Sequence, residues 1–312
     1  MGYTLCVLGC GTMGVAITSG VLASLQPHHP LGHEDSPQKW ELHTPGTRTP
    51  ATGAEVDPSL PSRFIACVKR EETAKRLRGT FGDAAGGGQV EVLADKNVNA
   101  VKQADVILLC CKPQLASVIL GEPGIKDALA GKLLISILAG VTLAQLTAWA
   151  PSTTRVIRAM PNTPCKIREG MTVVSTLPPS ETQDLDRSII LQIFSTIGRC
   201  RFLDEKHFDA CTALSGSGPA FACIFLEAMA DGGVMMGLPR AEALELAAQT
   251  LQGAARMTLQ TSAHPAQIKD AVTTPGGCTI AGLLALEDGR VRSTIARAIQ
   301  VATERASELG KQ

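Results

Sequence analysis

Short, unbroken apolar runs alternating with amphipathic stretches set the rhythm of the N-terminal part of the chain. Residues 4–8, 64–68, 90–93, 105–111, 133–139 and 154–158 are apolar at nearly every position, without the alternation of a half-exposed strand. Strands read this way when helices cover both faces of a parallel sheet. Helical periodicity over 12–25 and 71–77 separates the first of these runs. The βαβ alternation predicts a doubly wound α/β domain. Residues 171–175 and 199–203 read as two further strands, with a helix over 181–196 between them.

From residue 204 the strand signals vanish. Ala-rich helical patterns cover 220–236, 240–260, 280–286 and 291–309. The expected organisation is therefore an N-terminal doubly wound domain over 1–203 and a C-terminal all-helical domain over 204–312. The stretch AFACIFLEAMADGGVMM (220–236) is apolar almost all round. Such a helix is buried on every side, within its own domain or between subunits. So little polar surface in a small helical domain points to an oligomer.

Residues 26–62 break the pattern. They hold seven prolines and four of the six histidines, His28, His29, His33 and His43. With little apolar periodicity, the segment reads as a mobile surface insertion and not as a metal site. The glycines at 86–88 read as a smaller flexible turn.

Composition narrows the function. The net charge is zero and aromatics make up 3% of the 312 residues, so neither a basic stripe nor a stacking platform for nucleic acid is expected. The ten cysteines show no zinc spacing, and no metal is expected; most read as buried, reduced thiols of a cytosolic protein. The opening MGYTLCVL lacks the features of a secretory leader, and runs such as 106–111 and 133–139 are too short to span a bilayer. A cytoplasmic location with no membrane partner is expected.

Gly9-Cys10-Gly11-Thr12-Met13-Gly14 follows the first apolar strand directly and opens a helix. In that context GxGxxG permits a tight turn and brings a helix N-terminus to a dinucleotide pyrophosphate. Counting forward for an acidic ribose partner lands on Glu34 or Asp35, inside the polar insertion. The second strand instead ends Val68-Lys69-Arg70, a basic pair suited to the 2′-phosphate of NADPH. NADH stays open because Glu71 and Glu72 follow.

Further motifs carry a family resemblance. VILLCCKP (106–113) resembles the "AVKP" segment of the pyrroline-5-carboxylate reductases, and SILAGVT (136–142) their "SxxAGV". MPNTP (160–164) with REG (168–170) resembles "MPNTP…REG", and ALSGSGPA (213–220) resembles "GLSGSGPAY". ADGGV (230–234), GLP (237–239) and HPAQIKD (264–270) also match, and TPGGCTI (274–280) resembles "SPGGxTI". The likeness covers nearly the whole chain outside 26–62. It implies a Rossmann domain and the reduction of 1-pyrroline-5-carboxylate to L-proline with NAD(P)H, the last step of proline biosynthesis. It also implies a helical dimerisation domain, with a homodimer that often assembles further. By position, it implies cofactor contacts from Gly9, Cys10, Gly11, Thr12, Met13, Gly14, Val68, Lys69, Arg70, Asn97, Cys111, Lys112 and Pro113. Ser136, Leu138 and Ala139 are expected near the nicotinamide end. The chain departs from the family at Ser262, where an acid is common, and at Ala271, where Asn is common.

TTPGGCT (273–279) then acquires a physical reading. Thr274 suits an N-cap and Pro275 a first helical position, which would put Gly276 and Gly277 in the first turn. Helical glycines cost about 1 kcal/mol each relative to alanine, so they make sense where a ligand approaches the backbone. Thr274, Gly276, Gly277, Cys278 and Thr279 are the expected substrate residues. The first-turn amides would hold the carboxylate, with the Thr279 hydroxyl as the catalytic group at the imine nitrogen. Glu205 has two readings, a ligand contact at the domain junction or a solvated charge. A related hydroxyacid dehydrogenase would use Lys269 as its catalytic lysine, and a non-catalytic NADP sensor would not need the PGGCT corner.

Overall fold

The computed structural model describes residues 2–25, 57–82, 90–177 and 179–309. The expected insertion falls largely outside the described residues, as does the turn at 86–88. The end of the insertion is described and is ordered into the domain. Asp57 accepts hydrogen bonds from the Ser59 N–H at 2.8 Å and hydroxyl at 2.7 Å, Ser59 is buried, and a strand begins at Pro61.

Within the first compact unit the elements are β1 (Tyr3–Leu8), α1 (Thr12–Ser24), β2 (Pro61–Val68), α2 (Glu71–Gly82), β3 (Val90–Ala94), α3 (Asn97–Lys102) and β4 (Val106–Leu109). They continue as α4 (Ala116–Leu120), α5 (Ile125–Leu129), β5 (Leu133–Ser136), α6 (Leu143–Trp149), β6 (Arg155–Met160), β7 (Gly170–Ser175), α7 (Gln183–Ser195), β8 (Gly198–Leu203) and α8 (Phe208–Cys211). The eight strands lie in the order β3-β2-β1-β4-β5-β6-β7-β8. The first six are parallel, β7 runs antiparallel to β6, and β8 is parallel to β7. The pleat sends Leu5 and Val7 into one core and Cys6 and Leu8 into the other, which is why these strands are apolar throughout.

Strand order reverses between β1 and β4, and ligands of doubly wound sheets bind in the crevice beyond the carboxyl ends at such a point. Two runs end earlier than their apolarity suggests, β4 at Leu109 and β5 at Ser136. After the Cys110 N–H reaches Leu8 O (2.8 Å) and the Ile137 N–H reaches Leu109 O (3.1 Å), the chain leaves the ladder as crevice loops.

The compact units divide at Gly216/Ser217, with the chain from Thr303 grouped with the first. The second unit holds α9 (Gly218–Met235), α10 (Arg240–Thr261), α11 (Pro265–Ala271), α12 (Cys278–Asp288) and most of α13 (Val291–Leu309). Helix α9 closes with Gly237 in the left-handed region (φ 96°), and the Leu238 N–H returns to Gly233 O at 3.0 Å in a Schellman arrangement. The expected all-round burial of this helix is not met within the chain, since only Ala230 of α9 is buried. Ile224, Met235, Met236, Leu246 and Leu284 all stand exposed. Four helices and part of a fifth cannot cover their own apolar faces. The helical stretch Glu205–Met235 is also long and apolar enough, by length and composition, to cross a membrane.

Candidate active site

The three glycines of the first turn divide the work of a phosphate cradle. Gly9 sits at φ 75°, and its N–H and that of Cys10 both donate to Cys67 O, at 2.9 and 3.1 Å. A Cβ on Gly9 would fall 2.7 Å from Cys111 Cα, so only glycine lets β1 and β4 approach here. A Cβ on Gly14 would meet Val7 Cγ1 at 3.0 Å, where α1 lies on β1. Gly11 is different: its Cβ would meet nothing nearer than Gly9 O at 3.8 Å. Gly11 caps α1 with no side-chain hydrogen bond, and no acid occupies the first turn.

The first hydrogen bond closing α1 is Val15 N–H to Gly11 O at 2.9 Å. The Thr12, Met13 and Gly14 amides therefore have no backbone partner among the described residues. Unpaired amides at the positive end of a helix, with no competing carboxylate, fit a pyrophosphate. Cys10 contributes backbone alone. Its side chain is fully buried beneath the turn, and burial pushes the thiol up to about 12.

The other expected cofactor residues separate into rim and support. Val68 is buried at the end of β2, whereas Lys69 and Arg70 are exposed. Lys69 pairs with Asp95 at 2.5 Å, and Arg70 has no side-chain partner among the described residues. The Asn97 amide is engaged at both ends, accepting from Cys67 Sγ at 3.1 Å and donating to Glu122 at 2.8 Å. Ser136 and Leu138 are buried, and the Ser136 hydroxyl accepts the Leu138 N–H at 3.4 Å, so these two shape the β5 loop from below. Ala139 is the exposed member of that group. After β4, Cys111 is half-buried with its thiol raised to about 11 by burial, and Lys112 is exposed in extended backbone before Pro113.

Two side-chain clusters near the crevice escape a sequence reading. Arg158 of β6, 5% exposed, donates to Glu205 at 3.1 Å and lies over the Phe208 ring at 4.7 Å. Glu205 also accepts the Leu143 N–H (2.7 Å) with the same Oε1, at the positive end of α6, so it is a paired, half-buried group and not a solvated charge. Asn162 accepts the Met171 N–H at 2.9 Å and donates to Ser215 O at 3.0 Å. It thereby ties the loop after β6 to the π-helical turn Thr212–Gly216. Apart from Glu205, the sequence signs of these clusters are the placement of Asn162 and Ser215 within the family-like motifs MPNTP and ALSGSGPA.

The second unit carries the TTPGGCT corner, and its geometry corrects the expectation. Helix α12 starts at Cys278 with Gly277 as N-cap, not at Pro275. Thr274–Gly277 form a β-turn closed by Gly277 N–H to Thr274 O at 3.1 Å, with Gly276 at φ 69°. Thr274 is thus the first residue of a turn and not an N-cap, and the Gly277 amide is already used. A Cβ on Gly277 would strike Thr274 Oγ1 at 2.5 Å, whereas one on Gly276 meets nothing within 4 Å. Thr279 becomes the second helical residue. Gly277, like Gly11, caps its helix with no side-chain bond and no acid in the first turn. The amides free to meet an anion are accordingly those from Cys278 onward. Cys278 is exposed and Thr279 half-buried. Lys269 pairs with its neighbour Asp270 on α11, which leaves a catalytic lysine unsupported.

A glycine-turn dinucleotide cradle in one unit, and a second glycine-capped helix in a unit whose described elements are all helices, define a Rossmann-type dinucleotide-binding protein with a helical domain. Residues 205–309 match the family model described as pyrroline-5-carboxylate reductase dimerisation, and 48–140 match NADP oxidoreductase coenzyme F420-dependent. The chain is 48% identical over 318 residues to a pyrroline-5-carboxylate reductase of Lophium arboricola, covering 99% of this chain and 93% of that relative. It is 45% identical over 308 residues to the enzyme of that name from Schizosaccharomyces pombe, covering 98% and 99%. Among solved structures, Plasmodium falciparum pyrroline carboxylate reductase with NADP bound superposes with a TM-score of 0.72 at 25% identity, covering 99% of this chain and 98% of that one. The chain belongs to the pyrroline-5-carboxylate reductase family.

Proposed function

We propose that this protein reduces 1-pyrroline-5-carboxylate to L-proline with NADPH, and with NADH to a lesser extent. The observation that carries the reading is the bare N-terminus of α1, three amides without an internal acceptor over an acid-free first turn. Gly9 to Gly14 hold the pyrophosphate through backbone. Lys69 and Arg70 face the 2′-phosphate. Cys111, Lys112, Pro113 and Ala139 line the crevice, with Val68, Asn97, Ser136 and Leu138 supporting its walls. When bound, the nicotinamide supplies the hydride that reaches the imine carbon.

The substrate carboxylate meets the first-turn amides of α12, beginning at Cys278. The turn Thr274–Gly277 keeps side chains clear of that approach, since Gly276 points no Cβ into it. The Thr279 hydroxyl hydrogen-bonds the imine nitrogen, orienting it or relaying its proton. The exposed apolar residues of α9, α10 and α12 support a homodimer through the helical unit, and that pairing accounts for the apolar length of Glu205–Met235 better than a bilayer does. All ten cysteines are free, which supports the cytoplasm as its location.

A turnover assay of purified protein with 1-pyrroline-5-carboxylate and NADPH, scoring L-proline formed against NADPH oxidised, tests the reading. One-to-one stoichiometry is expected. Folded protein that binds NADPH and forms no proline would overturn it.

A further inference from the structure

The carboxyl ends of β2 and β3 carry opposed charges at one rim. Val68 pairs with Ala94 in the parallel register, so Lys69 and Asp95 are the next residues of neighbouring strands. The Asp95 N–H still donates to Val68 O at 2.8 Å, which fixes the Asp95 backbone against β2. Asp95 adopts φ 52°, a left-handed conformation that Asp and Asn tolerate better than other side-chain-bearing residues. Its carboxylate holds the Lys69 ammonium in an ion pair, with both groups exposed. Hydrogen bonding to Asp95 raises the Lys69 pKa, and the charges of Asp95 and then Glu122 add to the rise.

We propose that Asp95 is a specificity-determining residue that narrows this enzyme's preference for NADPH over NADH. The inference rests on the reading that the ribose 2′ position lies at Lys69 and Arg70. A 2′-phosphate, with close to two negative charges at neutral pH, must share Lys69 with Asp95 and sit beside a like charge. A ribose 2′-hydroxyl meets the opposite situation, because it donates a hydrogen bond to a carboxylate at this rim, as acids near the second strand do for NAD. The same residue therefore penalises one dinucleotide and accepts the other. Arg70 has no such counter-ion among the described residues, so NADPH retains one uncontested cation.

The test is a four-way comparison of kcat/KM for NADPH and NADH in the wild type, Asp95→Asn, Lys69→Ala and the double variant. Asn keeps the shape and the left-handed backbone and removes the charge. Asp95→Asn is expected to raise the NADPH-to-NADH ratio about fivefold, mainly through a lower KM for NADPH, with the gain shrinking as salt is added. In the Lys69→Ala background the same change should move the ratio less than about twofold. A ratio unmoved by Asp95→Asn, with Lys69→Ala still lowering it, overturns the inference and leaves the 2′-phosphate reading intact. A ratio unmoved by Lys69→Ala overturns both. Equal unfolding midpoints for Asp95→Asn and wild type show that the ratio, and not the fold, was changed.

Discussion

Gly9 and Cys111 stand so close that a single methyl group on the glycine would lie 2.7 Å from the Cys111 Cα. The first strand and the fourth are drawn together at the point where strand order reverses, and the cradle depends on that approach. Gly11, two residues on, has open space where its Cβ would be. The two glycines therefore serve different ends, one packing and the other ligand access.

Gly9→Ala is expected to lower the unfolding free energy by roughly 3 kcal/mol, combining left-handed strain with a backbone clash. Gly11→Ala should cost only about 1 kcal/mol, the loss expected when alanine replaces a favoured N-cap residue without a clash. Its methyl group would instead enter the open space at the cradle and should raise the KM for NADPH at least about tenfold. Urea denaturation and steady-state kinetics on both variants check the split. A Gly11→Ala enzyme with wild-type KM would remove the pyrophosphate from this turn.

An ion pair between a buried carboxylate and a half-buried guanidinium anchors β6 to α7. Arg155 forks onto Asp186 at 2.6 and 3.2 Å, and the Asp186 side chain is 3% exposed. Arg155 keeps solvent access and its bond to Gly131 O when the carboxylate is neutralised, so Asp186→Asn should cost about 1–2 kcal/mol. The pair lies among structural residues, so the KM for NADPH should not move. Thermal unfolding with parallel kinetics measures both, and an unchanged midpoint would mean that the pair contributes nothing net.

The thiols predict a loss of stability on the alkaline side. Burial raises Cys10 and Cys200 to about 12 from the ordinary thiol value of 9.0. A folded pKa above the unfolded one means that the unfolded chain sheds its thiol protons first. The stabilisation is complete below pH 9 and is lost as pH climbs through 9 to 12. By pH 10.5 each of these thiols should have cost about 2 kcal/mol. Denaturant unfolding should be flat from pH 7 to 8.5 and fall steeply beyond, and Cys10→Ala should flatten part of the fall.

The sequence carried the sheet plainly because strands buried on both faces leave an unbroken apolar record, as in Val106–Leu109 and Leu133–Ser136. It carried the cradle because the demands on Gly9, Gly11 and Gly14 are local. The corner misled for an equally local reason. Proline's fixed φ suits both the first position of a helix and the second of a β-turn, so TTPGG fits either. Gly276 decides between them by entering the left-handed region, which a helix excludes. The Arg158–Glu205–Phe208 cluster joins residues far apart in the chain, and no local pattern records it; β7 turns back on β6 within a short connection, and its apolar run is equally compatible with either strand direction. The open apolar faces of the second unit were visible as apolarity, but apolarity alone does not say what covers them.

The corrected corner also changes how its chemistry is tested. Gly277→Val is a poor probe, because the new side chain would strike Thr274 and break the turn before any ligand arrived. Thr279 is the better handle. As the second residue of α12 it is half-buried, and neither Val nor Ser there disturbs the glycine cap. Thr279→Val keeps the shape and deletes the hydroxyl, so it should lower kcat with a smaller change in the KM for the imine. Thr279→Ser should recover most of the loss. A positioned proton donor is worth about 10²–10⁴-fold, whereas an orienting hydrogen bond alone gives the low end or less. The pH profile separates the two roles. Free imine gains its own proton as pH falls, so a relay becomes dispensable and the Thr279→Val defect shrinks toward acid. A defect of constant size across pH leaves Thr279 as an orienting group. Wild-type kcat and KM in Thr279→Val throughout the range would exclude the hydroxyl from the reaction and shift the proton's source to solvent.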